Sequence, residues 1–338
     1  MKAVMVLMKY DYGVKSRGYS YEYYNLFLPV KELLGEENVI HFDFYDEFLQ
    51  SGKAAMNKKL KELMVSEKPD FSIFVLFENE FEESVINSLK DVTITTAYFI
   101  DDPWRQSYAD HWRKYFNFST TPDYYMYLRY KAEKIPNVIF CPFGFNPSVY
   151  KKADLPQKYE ISFVGGFSPY RKWVLNLLRK DGIKVNVFGR GWDSDKNWVS
   201  QEKMVEIFNS SAINLNLSNA VNRDISFVLN SLFSFKSMKE LILLKKHREQ
   251  VKGRHFEING CGGFQLSCYV PGLNEFYLID REIAVFDNPY NLAEMIKLYM
   301  NDDKLRTDIA SGGYVRSHRE HTAHKYLKNL INIILPQK

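Results

Sequence analysis

The stretch VKGRHFEINGCGGFQLSCYV, residues 251–270, gathers two cations, a carboxylate and a glycine pair. Lys252 and Arg254 stand just before Phe256 and Glu257, and Gly262-Gly263 opens a short apolar run. A carboxylate beside a helix turn, here predicted around 257–261, can accept both hydroxyls of a ribose, and the two cations could balance a diphosphate. The structural alternative makes Glu257 a helix-terminal charge worth roughly a few tenths of a kcal/mol and the basic pair a solvated face. Glu249 stands eight residues before Glu257, an E-x7-E spacing, but in a segment so charged that a solvated role fits it equally.

Two further stretches have the residue types for such chemistry. Gly165-Gly166-Phe167-Ser168-Pro169-Tyr170-Arg171 reads as a strand end, a glycine turn and a helix start. That order presents free N–H groups and the positive helix end to an anion, with Arg171 adding charge; it also reads as an ordinary tight turn. Asp101 and Asp102, in YFIDDPWR, follow an apolar run and could serve as a base or hold sugar hydroxyls, while Asp102-Pro103 also suits a helix start. The tyrosine-rich loop 9–25 has Gly13, Arg17, Gly18 and Tyr19 at its turns and could hold an acceptor or approach donor phosphates. Its tyrosines could equally be helix packing.

Composition narrows the partners. The 338 residues, 46% hydrophobic and 25% charged, suit a globular chain of two domains. A net charge of +4 from 45 basic and 41 acidic residues is too balanced for a duplex nucleic-acid binder, so a bound anion is expected to be small. Cys141, Cys261 and Cys268 support neither a disulfide framework nor a zinc site. The adjacent Asp101 and Asp102 are not a D-x-D motif and no histidine-rich cluster has metal-ligand spacing, so no metal and no cofactor is expected. The start, MKAVMVLMKYD, reads as a first strand and not a signal peptide, and no apolar run approaches the roughly 20 residues of a membrane span. The expectation is a cytoplasmic protein with at most peripheral contact at the inner membrane surface.

The elements that must position these residues follow from periodicity. Strands are predicted at 3–8, 39–44, 71–77, 92–100 and 138–143, with helical spacing over 23–34, 60–67 and 81–89. The pattern restarts with strands at 159–167, 183–189, 212–217, 263–270 and 282–286, and helices at 171–180, 201–210, 226–246, 289–300 and 303–317. Strand-helix alternation implies parallel sheets, twice over, joined by a linker at 144–159. In such sheets ligands bind at the carboxyl ends of the strands, where the glycine turn, the aspartates and the tyrosine loop all fall.

The segment from Gln250 to Tyr277, followed by REIAVFDNPYNLAEMIKLYMNDDKLRTDIASGGYVRSHREHTAHKYL, resembles the C-terminal domain of the glycosyltransferase group-one superfamily, in the branch of spore-maturation CgeB-like proteins. EKPDFSIFV, YFIDDPWR, CPFGFNPSVY and ISFVGGFSPYR agree with the same branch. The resemblance implies an α/β GT-B fold, two Rossmann-like doubly wound domains facing across a cleft, usually without metal. It implies an acceptor-side domain over 1–148, a donor domain over 157–319, and a last helix, 320–335, packing back on the first. It implies a UDP- or GDP-type nucleotide-sugar donor, with Glu257 gripping its ribose. Gly165, Gly166, Arg171, Lys252, Arg254, Gly262 and Gly263 would surround that donor. Glu249 occupies the position of a second family glutamate without its glycine-rich context, and Asp101 or Asp102 would be the base of an inverting reaction. The implied activity is transfer of a hexosyl or related sugar to a glycan, glycolipid or protein. The alternative is a non-catalytic nucleotide-sugar or carbohydrate-binding protein on the same fold. The segment 219–250 departs from the family pattern and would form a lid, a partner surface or an acceptor wall.

Overall fold

Ala3–Val6 (β1) is wholly buried, as befits a strand covered on both faces of a parallel sheet. Its side chains alternate: Ala3 and Met5 enter one apolar cluster, Val4 and Val6 another on the opposite face. In the computed structural model of the chain, residues 1–192, 198–218, 220, 224–231, 238–239, 246 and 248–335 are described.

The described chain divides into two compact units, Met1–Asn146 with Thr322–Lys338, and Pro147–His321. In the first unit β1 is joined by Val39–Phe42 (β2), Phe71–Phe74 (β3), Ile94–Tyr98 (β4), Phe118–Thr121 (β5) and Val138–Phe140 (β6). They form an all-parallel sheet in the order β2-β1-β3-β4-β5-β6. The second unit holds Tyr159–Val164 (β7), Asn186–Phe188 (β8), Ser211–Asn216 (β9), Gln265–Cys268 (β10) and Ala284–Phe286 (β11), parallel in the order β11-β10-β9-β7-β8. Each order reverses once, between β1 and β3 and between β7 and β9. Those reversals open the crevices in which doubly wound sheets take ligands.

Some elements differ from the expectation. β5 is FSTT, too polar to stand out in the sequence, yet Ser119, Thr120 and Thr121 are buried and the β-branched threonines suit a pleated strand. The helix expected over 60–67 begins earlier, at Phe44, where Asp43 accepts the Asp46 N–H, and bends at Gly52. The helix over 23–34 opens with a π turn, Tyr23–Phe27. Only Ile225–Ser231 of the helix expected over 226–246 is described; 232–237 and 240–245 lie outside the described residues, as does much of the unusual 219–250 segment.

The chain leaves the first unit beside the point where it returns. Phe145 pairs with Thr322, and the Ala323 N–H donates to the Phe145 carbonyl at 2.8 Å. Gly144 permits this approach, since a Cβ there would stand 2.7 Å from the Ala323 nitrogen. The final helix, Ala323–Ile334, then sinks Leu327, Leu330, Ile331 and Ile334 into the same cluster as Leu26, Phe27 and Val30.

Candidate functional site

Glu257 lies one turn inside the helix Gly253–Gly260, not ahead of a turn at 257–261 as its surroundings suggested. Lys252 takes the N-cap, so the helix starts earlier. Because this helix runs back between parallel strands β9 and β10, its positive N-terminal end sits at the carboxyl end of the sheet. Only 4% exposed, the Glu257 carboxylate receives the Tyr150 hydroxyl on Oε1 at 2.8 Å and Arg254 Nη1 on Oε2 at 2.5 Å. Arg254 is held in turn over the Phe208 ring, 5.1 Å from its centroid, with Nη1 2.8 Å from the Met204 sulfur. The sequence did not single out Tyr150, because its partner is 107 residues away.

A buried polar chain fixes that helix on the sheet. Asn216 donates to Gln265 at 2.9 Å, and Gln265 donates to the His255 carbonyl and to Asn259 at 3.1 and 3.0 Å. His255 Nδ1 accepts the Lys252 N–H at 3.0 Å, closing the helix start, and burial pushes its imidazole down to about 4. At the other end Gly262 and Gly263 donate to Asn259 and Ile258 carbonyls, ending the helix. They sit about 12 Å from the helix start. Gly263 serves packing, because a Cβ there would stand 2.7 Å from the Phe208 carbonyl oxygen.

At the β7/β9 reversal, Arg171 spans both flanking loops. Its Nη1 donates to the Gly166 carbonyl at 2.8 Å, Nη2 to Leu217 at 2.7 Å, and Nε to Leu217 and Ser218, both at 3.1 Å. Arg171 thus braces the crevice from both sides. Burial lowers its guanidinium to about 10, with nearby Arg254 contributing. Ser218 donates to Glu249, whose carboxyl burial pushes up against the pull of that bond and of Arg171. Gly165 and Gly166 lie beside them: the Gly165 carbonyl accepts the Trp192 indole N–H at 2.8 Å, and Gly166 has open space around its Cα. Ser168 caps the following helix, Pro169–Lys180.

In the first unit the loop after β1 lies at the β1/β3 reversal. Tyr10, Tyr19 and Tyr23 stack in sequence, with ring centroids 5.4 and 4.5 Å apart, and Arg17 packs over Tyr12. Gly13 and Gly18 form its turns. Glu22 went unremarked in the sequence, yet it is buried and its carboxyl rises to about 7 through burial, with Asp11 and Asp43 adding repulsion. Burial raises the Tyr12 phenol, and the charges of Asp11, Asp101 and Glu22 raise it further. Asp102 points elsewhere. It is 1% exposed, accepts the Tyr130 hydroxyl at 2.9 Å and faces Arg113 at 3.8 Å, and burial raises its carboxyl. Burial also pushes the Cys141 thiol up to about 12, which argues against a nucleophilic thiolate there.

Among the described residues no group of three His, Cys, Asp or Glu is placed to hold a metal ion, and no helix is long and apolar enough to cross a membrane.

Residues 171–332 match a family model described as glycosyl transferase-like, a segment that contains Arg171, Glu249, Lys252, Arg254 and Glu257. No curated protein matches the chain. Among solved structures, HepE of Anabaena in complex with UDP aligns with a TM-score of 0.62 at 10% identity, covering 99% of each chain. Sucrose-phosphate synthase from Thermosynechococcus elongatus aligns at 0.64 and 10% identity, again over 99% of each chain. AviGT4, a glycosyltransferase involved in avilamycin A biosynthesis, aligns at 0.61 and 10% identity, over 99% of this chain and 97% of its own. The chain therefore has the GT-B fold, two Rossmann-like parallel-sheet domains, with a glycosyl transferase-like match through most of its second unit.

Proposed function

We propose that the protein is a glycosyltransferase that moves a hexosyl or related sugar from a UDP- or GDP-type donor to a glycan, glycolipid or protein acceptor. The observation that carries this reading is Glu257, buried and ionically held at the carboxyl end of the second sheet, within the segment that matches the glycosyl transferase-like family. The UDP bound by HepE, on the same fold, supports a nucleotide diphosphate as the ligand.

In this reading Glu257 accepts the ribose hydroxyls, exchanging part of its present bonding to Tyr150 and Arg254. Arg254 and Lys252, with the helix N-terminus, then face the diphosphate and stabilise the charge that grows on it as the glycosidic bond breaks. Arg171 and Glu249 keep the loops around that crevice in place. Acceptor activation falls to Glu22 and Asp101 of the first unit, whose charges both act on the Tyr12 phenol. Glu22, whose carboxyl titrates near 7, can take a proton from an acceptor hydroxyl at neutral pH. Asp102, tied to Tyr130, is the weaker candidate for that role.

A thermal-shift screen of the full chain against UDP, GDP and ADP tests the donor assignment. Saturating UDP or GDP at about 100 times its Kd should stabilise the fold by about 2.7 kcal/mol. A melting temperature unmoved by all three would overturn it.

A further inference from the structure

The second unit carries a groove of about 770 Å³ on its outer edge, separate from the Glu257 helix. One wall is the helix Pro169–Lys180, which contributes Lys172, Asn176 and Arg179, positions i, i+4 and i+7 on one face. The two cations are thus about 10 Å apart along the helix. The other wall is the segment entering β8, the last strand in its sheet, where Val185 and Val187 share one face and Lys184 adds a third cation. Leu175 and Trp192 complete an apolar floor.

Among the described residues the charges that line the groove have one sign: no carboxylate is among them, and none of the three cations has an ion-pair partner. Lys172, Arg179 and Lys184 are exposed around an apolar floor. A soluble glycan would need amides and carboxylates for its hydroxyls, and among the described lining residues Asn176 is the one such side chain. An apolar floor under a cationic rim fits a ligand with an anionic head and hydrocarbon directly beneath it. We propose that this groove seats the headgroup and first methylenes of an anionic phospholipid, and that it docks the second unit on a bilayer carrying such lipids.

The test is sedimentation of the full chain with phosphatidylcholine vesicles, with and without phosphatidylglycerol. Binding should require phosphatidylglycerol. With about fivefold in partitioning from each cation near an anionic surface, the triple variant Lys172→Ala, Arg179→Ala, Lys184→Ala should bind about a hundredfold more weakly. Val187→Asn, which keeps the charge but makes the floor polar, should also weaken binding. Lys297→Ala with Lys304→Ala, which removes two charges outside the groove, should leave binding within about threefold. Unchanged melting temperatures and unchanged affinity for nucleotide diphosphate would show that fold and donor site are intact, so this result is independent of the proposed activity. The proposal is overturned by equal binding to both vesicle types, by no binding to either, by a triple variant or a Val187→Asn variant that binds like the parent, or by a control pair that loses as much as the triple.

Discussion

Replacing Glu257 by Gln keeps the shape of the side chain and removes its charge. In the folded chain this carboxylate is 4% exposed and accepts one neutral hydroxyl and one guanidinium. A hydrogen bond to a charged acceptor is worth about 1.5 to 3 kcal/mol, more than the roughly 1 kcal/mol of a neutral one. The bond to a donor ribose should suffer that loss, and with about 1.4 kcal/mol per decade the Kd for the nucleotide diphosphate should rise about 10- to 150-fold. Tyr150→Phe removes one donor to the same carboxylate but leaves its charge, so its effect on Kd should stay below about tenfold. Isothermal titration of both variants with UDP and GDP checks the order, and far-UV dichroism confirms that each is folded. A Glu257→Gln protein that binds within twofold of the parent, or a Tyr150→Phe protein that binds more weakly than Glu257→Gln, would refute the ribose assignment.

Three more outcomes follow from the same geometry. Arg171→Met leaves the Gly166, Leu217 and Ser218 carbonyls without their shared donor, so unfolding in denaturant should show a loss of about 3 kcal/mol together with weaker donor binding. Glu22 has a folded pKa of about 7, above its ordinary 4.5, so its contribution is fully present below pH 4.5 and is lost as pH rises through 7. Relative to Glu22→Gln, the parent should therefore lose about 3 kcal/mol between about pH 4.5 and about pH 8, and equal pH slopes of the two melting curves would contradict this. Leu330→Ala in the final helix should cost about 2 to 5 kcal/mol, because the side chain is 1% exposed in the first unit's core, and a stability unchanged in denaturant would show that the helix does not pack there.

The architecture was legible because its strands are short apolar runs separated by helical spacing, a pattern that parallel sheets impose directly. β5 escaped because its burial rests on three hydroxyl-bearing residues, and hydroxyls read as surface until a sheet encloses them. At the site, residue type and local spacing were enough to bring Arg254 and Glu257 together, since they lie three residues apart on one helix face. What depends on distant partners was not legible. Tyr150 reaches Glu257 from far upstream, Arg171 bridges loops more than 40 residues apart, and Glu22 acquires its character chiefly from burial. Gly262 and Gly263 close the helix that carries Glu257, and the tight packing of Gly263 on the Phe208 carbonyl comes from a residue more than 50 positions upstream, which no local spacing shows. Asp101 and Asp102, adjacent in sequence, face different surroundings because the backbone turns between them.

The central claim is that this chain transfers a sugar from a nucleotide donor, and turnover tests it most directly. The full chain is incubated with a panel of UDP- and GDP-sugars, and released nucleotide diphosphate is measured with time, alone and with candidate glycan acceptors. The account predicts release from at least one donor, accelerated by an acceptor and reduced at least tenfold in Glu257→Gln at donor concentrations below the Kd. Tight nucleotide binding with no release from any donor would contradict it and leave a binding protein on a glycosyltransferase fold.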